Sequence, residues 1–69
     1  MKYEYDSESD ALMLIFSDEK PEFGEQSGPV INHYNKNEEL VEIEILDASK
    51  TILDLLEPIL SSKRKKIKV

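Results

Sequence analysis

Apolar and charged side chains alternate late in the chain. Val41, Ile43 and Ile45 are separated by Glu42 and Glu44, which is the period of a β-strand with one dry face and one wet face. Paired carboxylates can perform acid–base chemistry, but on one side of a strand they are typical of the solvent-facing surface. The pattern therefore predicts a last strand whose three β-branched side chains face the core.

Past residue 47 the apolar positions take a helical spacing, which predicts a helix beginning near Ala48. Asp47 or Ser49 is placed to cap its first turn. Pro58 interrupts the pattern, and because proline removes a helical hydrogen bond, the helix either stops near residue 56 or bends at the proline. In both cases four side chains are expected to contact the core: Leu53, Leu56, Ile59 and Leu60.

Earlier segments complete a sheet. Strands are predicted over residues 2–5, 11–16 and 30–34, with a weak edge strand over 22–26 and polar or Gly-Pro turns between them. The uninterrupted apolar segment 11–16 belongs inside a sheet. We expect an α+β domain, an antiparallel β-meander of four to five strands followed by one C-terminal helix packed on one sheet face. Since one helix covers only one face, dimerisation or partner docking is expected for the other.

Composition places limits on this picture. The chain has 69 residues, 39% of them hydrophobic, and no cysteine, so one small domain must rely on packing or on a partner. Its acidic opening does not resemble a signal peptide, and its longest apolar run is far shorter than a membrane helix needs. A cytoplasmic protein without membrane contact is expected.

Charge divides the chain into two parts. Four lysines against all fifteen acidic residues give residues 1–62 a formal charge of −11, whereas residues 63–69 carry +5. We therefore separate a folded domain, 1–62, from a basic C-terminal tail, 63–69. The acidic body repels phosphate backbones and favours basic proteins as partners. The tail is a candidate contact for nucleic acid or a protein, or it stays solvated or docks on the body; its basic residues are Lys63, Arg64, Lys65, Lys66 and Lys68.

Candidate chemistry is sparse. Asp6, Glu8 and Asp10 stand at alternate positions, but the glycine and the glutamate of a calcium loop are missing, so a hairpin turn is favoured over a weak divalent site. His33 is the single histidine and lacks the partners of a zinc site. Ser49 fits the start of a helix better than a nucleophile. No catalytic, metal or cofactor residue is expected, and no enzyme.

Two runs carry a resemblance. Residues 3–12, Tyr-Glu-Tyr-Asp-Ser-Glu-Ser-Asp-Ala-Leu, and 44–49, Glu-Ile-Leu-Asp-Ala-Ser, resemble the small prokaryotic domain-of-unknown-function family 2283, with its "YD-x-E-x-DALY" and "GIEILDAS" runs, over roughly residues 2 to 50. The resemblance implies a β-meander followed by a helix, and no established activity. Some members are encoded beside candidate toxins, which implies an antitoxin role. Met13, Glu42 and the basic tail depart from the family pattern.

These observations favour a non-enzymatic protein-interaction module, in its most specific form the antitoxin-like partner of a basic toxin, with a homodimer as a further expectation. The alternative is a DNA-binding autoregulator that uses the basic tail. An enzyme built on Asp6, Glu8, Asp10 and His33 ranks last.

Overall fold

The computed structural model describes residues 1–67, and it describes side chains as far as Ser62. Five strands form one sheet and a helix follows them. All strand pairs are antiparallel, which confirms the α+β class with a C-terminal helix. The elements are β1 (Lys2–Asp6), β2 (Ala11–Ile15), β3 (Phe23–Ser27), β4 (Val30–Tyr34), β5 (Leu40–Ile45) and α1 (Ala48–Ile67).

The strand order is β1-β2-β5-β4-β3. The sheet is therefore not the sequential meander expected from the sequence, because β5 lies between two hairpins and pairs with both. β2 is an interior strand and β3 an edge strand, as predicted. The β3–β4 hairpin is closed by Gly28 and Pro29 alone, and Gly28 takes a φ of 58°, the left-handed conformation that such two-residue turns require.

The cross-strand register sorts the side chains onto two faces, since directly paired residues point to the same side of a sheet. One side, the tyrosine face, includes Tyr3, Tyr5, Leu12, Leu14, Val30, Asn32, Ile43 and Ile45. The other side, the acidic face, includes Lys2, Glu4, Asp6, Met13, Ile15, Ile31, His33, Glu42 and Glu44. The predicted alternation of β5 is thus confirmed, and it separates the two surfaces.

The β4–β5 turn is organised by Asn35, which is only 3% exposed. Its side-chain oxygen accepts hydrogen bonds from the amides of Asn37 and Glu39, both at 2.9 Å, and its Nδ2 donates to carboxylates of Glu19 and Glu39. With Asn35 engaged in this way, the positive φ of the turn falls on Glu38, at 62°.

The helix contacts the sheet only at its beginning. Ala48 is 1% exposed and Thr51 is 9% exposed, and the Thr51 hydroxyl donates to the Leu46 carbonyl at 2.9 Å. From Leu53 to Ser62 every side chain is exposed. Four apolar side chains of the helix were expected to contact the core, and this expectation is wrong because all four are exposed. They are Leu53, Leu56, Ile59 and Leu60.

The helix also does not stop near residue 56. It continues through Pro58 as one element to Ile67, so residues 63–67, which the charge pattern separated from the folded domain as part of a basic tail, belong to the helical backbone. Among the described residues, no helix combines the length and the apolar character needed to cross a membrane.

Replacing Asn35 by alanine removes the acceptor of two turn amides and leaves polar groups in a buried position. We expect the free energy of unfolding to fall by about 1–3 kcal/mol, measured by urea denaturation. Asn37→Ala is the matched control, because Asn37 is exposed and contributes its backbone amide to the turn. Equal losses in the two variants would contradict the central role of Asn35.

Candidate functional site

The acidic turn between β1 and β2 is held by its own side chains. The Asp6 carboxylate accepts from the Glu8 amide at 3.1 Å and from the Ser9 hydroxyl at 2.8 Å. These bonds hold the pKa of Asp6 below its usual range, the Ser9 hydrogen bond having the largest effect. The preferred interpretation of Asp6, Glu8 and Asp10 as a hairpin turn is confirmed by this geometry.

Asp10 joins the turn to the helix. Its carboxylate accepts from the Tyr5 hydroxyl at 2.6 Å and from the Ser49 hydroxyl at 2.7 Å, and the Ser49 amide lies 3.2 Å from Oδ1. Its backbone carbonyl accepts from the Ala48 amide at 2.8 Å. Asp10 itself adopts a φ of 52°, a conformation that aspartate tolerates better than most residues.

The cap of the helix therefore comes from a distant segment. Sequence spacing pointed to Asp47 or Ser49, but the acceptor for the Ser49 amide is a carboxylate 39 positions earlier. A negative charge at this place also complements the positive end of the helix dipole. No local signal could have revealed it, since capping patterns are read between residues a few positions apart.

The same contacts shift two acid–base equilibria in opposite directions. The hydrogen bond from Tyr5, followed by that from Ser49, lowers the pKa of Asp10. The bond to Asp10 raises the pKa of Tyr5, because losing the phenolic proton would leave two negative charges side by side. Both shifts mark a structural contact in which the ionised carboxylate and the neutral phenol are the stable forms.

His33 lies on the acidic face and meets a glutamate. Its Nε2 is 3.3 Å from Oε1 of Glu44, and both side chains are about one quarter exposed. Gly24 stands opposite in the neighbouring strand, where a Cβ would come within 3.2 Å of His33 Nδ1. Because position 24 has no side chain, the imidazole of His33 can lie over the neighbouring strand without a steric clash.

The residues once considered for catalysis are not brought together. Asp6 is engaged within its turn, Asp10 with Tyr5 and Ser49, and His33 with Glu44. Within the part of the chain that the structure describes, no three histidine or acidic side chains are grouped as metal ligands would be. The expectation that the chain is not an enzyme remains a prediction.

Carboxylates and apolar side chains alternate across the acidic face. Glu4, Met13, Glu44 and Ile31 form one cross-strand row, and Lys2, Ile15, Glu42 and His33 form the next. Glu4, Met13 and Glu44 line a shallow groove at the β1 side. Met13, Ile15 and Ile31 are half-buried with no layer over them among the described elements. The arrangement offers an apolar surface within a frame of negative charge.

Comparison with protein families gives one match. The model of the family described as "Protein of unknown function (DUF2283)" matches residues 2–49. The chain belongs to the DUF2283 family. No curated protein and no solved structure matches it. The DUF2283 match spans the whole sheet and ends at Ser49, immediately after the contact with Asp10.

The helix from Lys50 onward therefore lies outside the DUF2283 match. So do the five basic residues singled out from the sequence, Lys63, Arg64, Lys65, Lys66 and Lys68. Their side chains lie outside the described residues, so their candidate role in binding nucleic acid or a protein stays a prediction.

Replacing Tyr5 by phenylalanine tests the contact at Asp10. Without the phenolic donor the pKa of Asp10 should rise toward its ordinary value of about 3.9. A lowered native pKa contributes stability above the unfolded-state value and loses it as the pH falls through the native value. The variant should therefore be less stable than the wild type near neutral pH, and the difference should shrink in strong acid.

The measurements are an NMR titration of the Asp10 carboxyl carbon and urea unfolding at neutral and strongly acidic pH. Tyr3→Phe is the matched control, because Tyr3 stands two positions earlier on the same face and is 73% exposed. An unchanged titration of Asp10 in Tyr5→Phe would show that the phenol does not hold the carboxylate.

Proposed function

We propose that this DUF2283 chain is a non-enzymatic protein-interaction module that binds a basic protein through its acidic face. The supporting observation is the register that places Glu4, Glu42 and Glu44 on one side of the sheet, around half-buried Met13 and Ile31. Apolar surface rimmed by charged groups is characteristic of protein-binding sites.

Charge selects the class of partner. Residues 1–62 carry a formal charge of −11, and a field of one sign speeds the encounter with an oppositely charged protein and disfavours acidic competitors. Glu44 and His33 form a further feature of this surface, since Nε2 of His33 lies 3.3 Å from Oε1 of Glu44. The apolar side chains supply contact area, and the glutamates supply orientation and selectivity.

In its most specific form, the proposal makes the basic partner a toxin and the chain its antitoxin. The acidity of the body supports this form, as does the family resemblance. Binding of an acidic antitoxin over a basic active surface would block that surface by occupation and by charge neutralisation. The protein is expected to function in the cytoplasm.

Neutralising two glutamates of the acidic face tests the surface. Glu4→Gln combined with Glu42→Gln leaves the His33–Glu44 contact in place and should weaken binding of the basic protein that co-purifies at low salt. We expect the dissociation constant to rise about three- to thirty-fold, as measured by titration calorimetry, with the difference shrinking at high salt.

Glu8→Gln combined with Glu57→Gln is the matched control. It removes the same formal charge from exposed positions on the β1–β2 turn and the helix, so it should change affinity much less. Equal effects of the two double variants would mean that net charge alone, without the acidic face, attracts the partner.

Deleting residues 63–69 separates the proposal from a DNA-binding autoregulator. The interaction module should bind its basic partner without these residues, and the full chain should not shift its own promoter DNA, because the acidic body repels phosphate. A gel shift that the full chain produces and the deletion abolishes would establish the DNA-binding alternative.

A further inference from the structure

One side of α1 is apolar well beyond the sheet. Ile52, Leu55, Leu56, Ile59 and Leu60 fall within an arc of roughly 140° of the helical circumference. We refer to these residues as the helix stripe. It continues the direction of the buried first turn, since Leu55 and Ile59 follow Ala48 at seven and eleven positions. Leu55 is 62% exposed and Ile59 is 55% exposed. The helix thus has the apolar pattern of a helix that packs on a core, but its apolar side chains are not in contact with one.

The sheet has an apolar face on which the helix of the same chain does not pack beyond its first turn. Over β1, β2 and β5 the tyrosine face is apolar in two cross-strand rows, yet Tyr3 is 73% exposed and Tyr5 is 55% exposed. In β4 one of these rows continues into Asn32. Among the described elements only the first turn of α1 lies against the sheet, and the rest of the helix is exposed. Each chain therefore has an apolar helix without a sheet and an apolar sheet face without a helix.

We propose that the helix stripe of one chain docks on the tyrosine face of a second copy, and that the second copy returns the same contact. Two complementary surfaces on one chain form a closed two-fold dimer when the two contacts are made reciprocally, so that both form at once. The proposal is independent of the proposed function, because it uses the opposite face of the sheet.

The exposed area agrees with a second copy as the occupant. The accessible surface is 5645 Å², against about 4,500 Å² expected for a folded monomer of this mass. The excess of roughly 1,100 Å² exceeds the roughly 800 Å² that each partner buries in a standard interface. The radius of gyration of 15.2 Å likewise exceeds the roughly 11 Å of a compact chain of this length.

Burial within one chain is small. Val41 and Ala48 are the only fully buried hydrophobic residues among positions 1–62. Domains of this size without disulfides or metals commonly obtain the missing burial by oligomerisation. The reciprocal contact would bury the helix stripe and the tyrosine face without requiring another protein.

Charge favours the same occupant. The basic segment 63–69 follows the helix stripe directly in the sequence and carries +5, whereas residues 1–62 carry −11. Attraction between the basic segment of one copy and the acidic body of the other would offset part of the repulsion between two chains of net charge −6.

The first measurement is the mass of the full chain at micromolar concentration by light scattering. We expect twice the chain mass of 8.0 kDa and a thermal midpoint that rises with concentration. A single-chain mass throughout the micromolar range overturns the proposal. The same result would be seen if a different protein binds the stripe, and that alternative also contradicts the proposal.

Variants locate the interface. Leu55→Glu combined with Ile59→Glu should give a single-chain mass, as should Tyr3→Glu on the sheet. Ser61→Glu introduces the same side chain on the opposite side of the helix, where Ser61 is exposed, and should remain dimeric. Far-UV circular dichroism checks that each variant is folded. A dimer that survives the double substitution in the stripe overturns the proposal.

Mixing distinguishes the reciprocal contact from helix-to-helix pairing. The stripe variant keeps an intact tyrosine face, and Tyr3→Glu keeps an intact stripe, so a mixture should form a heterodimer with one of its two contacts restored. Native mass spectrometry with one chain isotopically labelled detects it. A mixture that stays monomeric while the wild type is dimeric overturns the docking of stripe on sheet.

Discussion

The contact between Asp10 and the first turn of α1 determines the arrangement of everything after the sheet. Through Tyr5 and Ser49 its carboxylate joins the first hairpin to the helix, and its carbonyl accepts the Ala48 amide. Two donors to one ionised group form stronger hydrogen bonds than neutral pairs do. Because Asp10 lies in the turn at one end of the sheet, its hydrogen bonds to Ala48 and Ser49 fix where the helix begins relative to the sheet.

A helix held only at its first turn leaves the sheet as a single layer. Layered domains bury each apolar face against another element, whereas here the tyrosine face is only half-buried, with both tyrosines exposed, and the helix stripe is exposed from Leu55 onward. The acidic face is different in kind, since its glutamates suit contact with water or with a charged partner. The two faces of one sheet therefore support two separate proposals, one for self-association and one for a basic protein.

Local patterns predicted the elements well and their assembly poorly. The alternation of Val41, Ile43 and Ile45 gave β5 its correct faces, because strand periodicity is a property of neighbouring residues. The position of β5 between two hairpins depends on pairing with β2 and β4, and no spacing within one segment encodes it. The cap at Asp10 was missed for the same reason.

The helix shows a second limit of local patterns. Its apolar spacing correctly predicted an amphipathic helix but could not specify which molecule covers it. From the candidate site, the hairpin role of Asp6 and its neighbours followed from residue type alone, because aspartate and serine bond nearby amides. The pairing of His33 with Glu44 and the clearance at Gly24 required the register of three strands.

Pro58 bears on how the second half of the helix is stabilised. Proline cannot donate to the Asp54 carbonyl, and inside a helix it costs about 3 kcal/mol. Most helices in proteins depend on packing of an apolar face rather than on intrinsic propensity. From Leu53 to Ser62 the side chains of this helix are exposed, so such packing is absent among the described residues there. The proposed docking of the helix stripe on a second copy would supply it, and folding of the second half of the helix would then be coupled to docking.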